Sequence, residues 1–141
     1  MALPWRDDDY AKILRESKTI AVVGLSHDPF RPSCGVARYL QQEGYRIIPV
    51  NPHESEVLGE RSYASLLDVP EAVDVVDVFR RSEFVPEIVD QAIRIGAKTV
   101  WLQRGVGSVA DAQRARDAGL QAVFNQCMAT ELHKLHAVPA E

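Results

Sequence analysis

Five short runs of apolar, largely β-branched residues recur along the chain, at 19–24, 46–50, 73–79, 99–102 and 121–124. Strands this short and apolar are buried on both faces, which is how parallel strands joined by helical crossovers read. Helices are expected between them at 33–43, 83–95 and 108–118, with a last one at 127–136. Gly44, Gly96 and Gly119 follow three of these as C-terminal stops. The alternation predicts an α/β fold: a single Rossmann-like domain, a five-stranded parallel sheet of order 3-2-1-4-5, and helices on both faces. A length of 141 residues with 46% apolar content suits one domain over 1–141 with a real core. Within 1–18, Tyr10, Ile13 and Leu14 mark a short amphipathic helix at 7–17, with Asp7, Asp8 and Asp9 in its first turn. Residues 137–141 read as a tail. Pro49 lacks a ladder donor and is expected to weaken or bulge the second strand, and 63–67 is expected to turn helical.

The first strand-loop-helix unit, TIAVVGLSHDPFRPSCGVARY, carries the chemistry. Gly24 ends the strand, and Ser33 is placed to cap the following helix. Such a unit turns free N–H groups and a positive helix end toward an anion. Ser26 and Pro29 stand where a dinucleotide fingerprint would have its second and third glycines. A phosphate loop and a plain βα turn both remain open on this stretch. Ligands in such sheets bind beyond the carboxyl ends of the strands at the switch point, here expected between strands one and four. The tips are Gly24-Leu25-Ser26, Asn51-Pro52, Phe79-Arg80-Arg81 and Gln103-Arg104-Gly105. With Arg31 in the first loop, arginines gather at these tips in a chain of net charge −4, which suggests an anion pocket; the plain reading is a set of polar loops. An NAD site wants an acid at the end of strand two, where Asn51 stands, and Glu54 and Glu56 would serve only if their loop folds back. No Walker lysine is present.

Acidic and basic residues are interleaved, which argues against nucleic acid and against a membrane surface as partners. No signal segment or spanning run is seen, and Cys34 and Cys127 have no metal-type spacing, so a cytoplasmic, reduced protein without a metal is expected. Cys34 sits at a helix start, where a thiolate is favoured, although a bound pyrophosphate would oppose it. Cys127 is expected to pack as a buried thiol. Asp74 and Asp77 have odd spacing and should face opposite sides of their strand. Trp101 reads as core or as a ring lining the pocket. No catalytic constellation is visible.

The pieces IAVVGLS, RPS, GYRIIPVNP, VLGE, YASLLDVP, VDVVDVFR, AIRIGAKTVWLQRGV and NQC stand in order from Ile20 to Cys127. In these the chain resembles the small stand-alone CoA-binding proteins and, more distantly, the N-terminal CoA-binding domain of succinyl-CoA synthetase α subunits. The resemblance implies a Rossmann-like fold with coenzyme A, free or acylated, as ligand. It implies that Gly24, Ser26, Arg31 and Ser33 hold the phosphates. Val50, Asn51, Pro52, Phe79 and Arg80 would flank the adenosine, and Trp101 to Gln103 would line the pocket further along. Family members often carry Glu-His after the last cysteine, whereas here Leu132 separates Glu131 from His133. Synthetase catalysis also needs a phosphorylated histidine and a nucleotide-grasping partner. The expected function is therefore a non-catalytic CoA-binding module, with a protein partner or homo-oligomer left open. The rivals are a small NAD(P)-dependent oxidoreductase, an acyl-CoA enzyme, and an interaction protein whose pocket is empty.

Overall fold

The computed structural model describes residues 5–137. Five parallel strands form the main sheet: β1 (Thr19–Val23), β2 (Arg46–Val50), β5 (Val75–Val78), β6 (Thr99–Leu102) and β7 (Gln121–Phe124). A two-stranded hairpin, β3 (Glu56–Val57) and β4 (Glu60–Arg61), interrupts the long connection after β2. The helices are α1 (Tyr10–Glu16), α2 (Pro32–Gln42), α3 (Val85–Arg94), α4 (Val109–Asp117) and α5 (Met128–Ala137). From 138 onward the expected tail lies outside the described residues.

The sheet is parallel and covered on both faces, as expected. One face buries Ala21, Val76, Val78 and Val100 against α3 and α4. The other buries Ile20, Val22, Val75, Trp101 and Val123 against α1, α2 and α5. The strand order is corrected. The sheet runs β2-β1-β5-β6-β7, so the five expected strands stand in the order 2-1-3-4-5 instead of 3-2-1-4-5. Among the described residues, the place outside β2 is taken by Tyr63 alone, through one parallel bridge to Val50. Its N–H donates to Pro49 O, and its carbonyl accepts from Asn51 N–H. The chain then turns through a 3-10 segment at Leu66–Asp68, where 63–67 was expected to be helical, and crosses to the other side of β1. The order therefore reverses between β1 and β5, and the switch point lies there and not between the first and fourth expected strands.

Other expectations shift for local reasons. Pro49 causes no bulge: it pairs in register with Val22, and its carbonyl points outward to Tyr63. Its missing N–H therefore falls on the side away from β1, where the ladder needs no donor. Helix α2 begins at Pro32, with Arg31 at the N-cap, so Ser33 does not cap it. Proline suits a first helical position because it has no N–H to satisfy. In α1 the cap is Asp9, which accepts from Lys12 N–H. Asp7 and Asp8 lie outside its first turn and instead accept from Phe124 and Ala122 N–H, at 2.7 and 2.8 Å. They satisfy donors along the open edge of β7 that a buried edge would otherwise leave bare. Leu58 and Gly59, with φ of 55° and 77°, make the tight hairpin turn in VLGE.

Candidate functional site

The first loop is built on its own side chains. Ser33 Oγ accepts from Ser26 N–H, Ser26 Oγ from Asp28 N–H, and Asp28 from Phe30 N–H. Each serine oxygen thus takes a loop amide and keeps its O–H to donate elsewhere. Glu54 folds back onto this loop. Its carboxylate accepts from His27 N–H and meets the imidazole at 2.7 Å, and these contacts, led by the backbone one, hold Glu54 below the usual carboxylate range. Asn51 ties the β2 tip to the same loop: its Nδ2 donates to Leu25 O and its Oδ1 accepts from His53 N–H.

Between this loop and the tips of β5 and β6 lies a cleft of about 760 Å³. That volume is ordinary for a small-molecule site. Of the expected site residues, Gly24, Ser26, Arg31, Ser33, Asn51, Phe79, Arg80 and Gln103 all line it. Val50 and Pro52 do not; they line a neighbouring hollow of about 320 Å³ with Ala64, Ser65 and Gln91. Arg80 borders both spaces, its guanidinium 4.3 Å from the centre of the Phe84 ring. Trp101 is placed in the core. It is fully buried, its Nε1 donates to Gln126 O at 2.9 Å, and Tyr10 leans on it.

Four arginines, Arg31, Arg80, Arg81 and Arg104, border the cleft, and its lining contains no carboxylate. Arg81 approaches Glu83 at 3.7 Å on the surface. Among the described residues, Arg31, Arg80 and Arg104 have no carboxylate within ion-pair distance. The lining also includes the apolar Pro32, Val36, Phe79 and Val106. Such an arrangement suits a ligand with several phosphates and a less polar arm. The N-terminus of α2 adds its positive end.

Arg81, Arg104 and Gly105 also line the cleft, from the expected strand tips, and Pro32, Val36, Val106 and Cys127 join them from outside the expected set. Val36 is legible as one helical turn beyond Ser33, on the same face. Cys127 corrects an expectation: it is half-exposed on the cleft wall, not buried. It precedes α5 instead of lying within it, so no helix face carries it inward. Cys34, by contrast, lies in the first turn of α2 and is buried. Asp74 and Asp77 serve separate places, as their spacing implied. Asp74 accepts from Lys18 and Thr19 N–H below the sheet, while Asp77 meets Gln103.

Among the described residues, no cluster of three or more His, Cys, Asp or Glu is arranged for a metal. No helix among them is long and apolar enough to cross a membrane. A family model described as the CoA binding domain matches residues 18–133. The uncharacterized protein YneT of Bacillus subtilis (strain 168) is 38% identical over 117 residues, spanning 83% of this chain and 87% of that protein. A solved structure of a hypothetical protein from Pyrococcus horikoshii OT3 superposes with a TM-score of 0.89 at 41% identity, covering 94% of each chain. The ADP-forming acetate–CoA ligase II of Archaeoglobus fulgidus is 32% identical over 83 residues, which are 57% of this chain and 12% of the ligase.

Proposed function

Since the chain belongs to the CoA-binding domain family, we propose that it binds coenzyme A or an acyl-CoA in this cleft, as a module without chemistry of its own. The observation that carries the reading is a lining with four arginines and no carboxylate, in a chain of net charge −4. The pyrophosphate sits at the start of α2, where the Ser26 and Ser33 hydroxyls donate to it. The adenosine lies toward Val50, Asn51, Pro52 and Arg80, next to the smaller hollow. The pantetheine arm runs past Phe79 and Val106 toward Gln103 and Cys127. Trp101 supports that end from below.

Two observations speak for CoA over a dinucleotide and over an enzyme. The carboxylate nearest the β2 tip that could hold a ribose diol is Glu54, and it is held by His27. The cleft lining also has no histidine, lysine or carboxylate to act as a general base beside Cys127. Titration calorimetry should show saturable binding of CoA, and mass spectrometry of the undenatured protein should show CoA retained from the cell. Binding of NAD with no response to CoA would sink the reading. Incubation with acetyl-CoA should release no thiol beyond background; repeated turnovers lost on mutating a cleft residue would make it an enzyme.

The arginines divide the phosphates. Arg31 borders the α2 start and is the candidate for the 3′-phosphate, which dephospho-CoA lacks. Losing a charge-assisted hydrogen bond costs roughly 1.5–3 kcal/mol, about 10- to 150-fold in affinity. Arg31→Ala should weaken CoA by about that factor and dephospho-CoA far less, whereas Ser33→Ala should weaken both alike. Equal losses for Arg31→Ala would move the 3′-phosphate to Arg80.

A further inference from the structure

Asp77 is the only buried charged residue among the described residues. It lies in the central strand β5, in register with Val22 of β1 and Trp101 of β6. Alternation with Val76 and Val78 turns it to the face covered by α1, α2 and α5. Its Oδ1 accepts from Gln103 Nε2 at 2.6 Å, and among the described residues its Oδ2 has no partner. A buried carboxyl with one orphan oxygen is costly and calls for a reason.

Gln103 supplies one. It is 4% exposed, yet it lines the cleft at the tip of β6. A glutamine amide has a donor end and an acceptor end, and nothing in its own shape decides which faces the ligand. In the structure Asp77 takes the Nε2 end, and once ionised its carboxylate, which only accepts, holds the amide in that sense. Oε1 is left without a partner among the described residues. A carbonyl oxygen repels phosphate and matches an N–H. On the CoA reading, on which this inference rests, the N–H groups remote from the adenine are the two pantetheine amides.

We propose that Asp77 is a positioning residue: it fixes the Gln103 amide so that Oε1 meets an N–H of the pantetheine arm. Asp77 touches no ligand itself and acts through Gln103. A site built to receive an N–H discriminates against ligands that lack it.

The test compares CoA with 3′,5′-ADP, which keeps the adenosine 3′-phosphate and lacks the arm, at pH 8.5. Asp77→Val and Gln103→Leu should each weaken CoA about 3- to 10-fold and leave 3′,5′-ADP unchanged. The double variant should be no weaker than Gln103→Leu, because both act through one amide. In the unsubstituted protein, with or without CoA, the Gln103 side-chain NH2 should exchange slowly with solvent in NMR spectra. That measurement stands even if Asp77→Val does not fold. Rapid NH2 exchange, equal losses for both ligands, or an Asp77→Val variant that binds CoA normally while Gln103→Leu does not would each overturn the proposal. Failure of the unsubstituted protein to bind either ligand would instead remove the CoA reading itself.

Discussion

At pH 8, Asp77→Asn should raise the unfolding free energy by roughly 2–4 kcal/mol, and at pH 4 the difference should nearly vanish. Burial pushes the Asp77 carboxyl up to about 7, against the pull of its hydrogen bond from Gln103. In the unfolded chain it titrates near 4. Between those two values the folded protein holds a proton that the unfolded chain has released. The neutral carboxyl's contribution is therefore fully present below about pH 4 and is lost as pH rises through about 7. Asparagine has nothing to ionise and escapes that loss. Glu54 and Glu71 work in the opposite sense, since their hydrogen bonds, from His27 and from Arg46, hold them low. They act equally in both proteins, so the variant-minus-parent difference isolates Asp77. Chemical denaturation at pH 4, 6 and 8 measures it. A difference that does not change with pH would show that Asp77 titrates alike in both states.

The strands were legible because each is a run of residues buried on both faces, and local composition records that. Their order was not. It turns on Tyr63, one residue whose bridge to Val50 occupies the outer place, and no local pattern marks a single bridge. The tips of the cleft were legible too, because strand ends in a parallel sheet gather at one edge whatever their order. The depth of each side chain was less so. Trp101 and Gln103 are two apart and share a face, yet Tyr10 from α1 covers the first and the strand end exposes the second to the cleft. The N-terminal aspartates misled for a related reason. Three acids before a helix look like dipole partners, but two of them met unpaired amides of β7, a hundred residues on. Such pairings depend on which edge is left open, and that is a property of the assembled sheet. Glu54 shows the converse, since its loop does fold back, but onto His27 rather than onto the cleft.

Gly24→Ala should destabilise the protein by roughly 3 kcal/mol or more, and Gly35→Ala should stabilise it slightly. Gly24 sits at the switch point with φ +88°. A Cβ there would stand 2.6 Å from Phe79 O and 3.1 Å from Arg80 Cδ. The left-handed backbone alone costs about 1–2 kcal/mol for a residue with a Cβ. The clash adds to it, because neither side can yield cheaply: Gly24 N–H donates to Val50 O and Phe79 N–H to Val23 O, pinning both tips. Arg80 has slack in its side chain, but the Phe79 carbonyl has none. Any molecule that still folds must part the β1 and β5 tips, which carry the Gly24, Phe79 and Arg80 walls of the cleft. CoA affinity should then fall by more than about 10-fold, as expected when a charged contact is lost. Gly35 is the control, since the same added methyl group falls inside α2 with nothing within 4 Å. There alanine removes unfolded-state freedom and favours the helix, for a gain of about 0.4–1 kcal/mol. Denaturation midpoints of the two variants should move in opposite directions from the parent. A Gly24→Ala protein with the parent's midpoint and the parent's CoA affinity would mean that the two tips are free to separate, and that the close approach of Gly24 to Phe79 holds neither the fold nor the site.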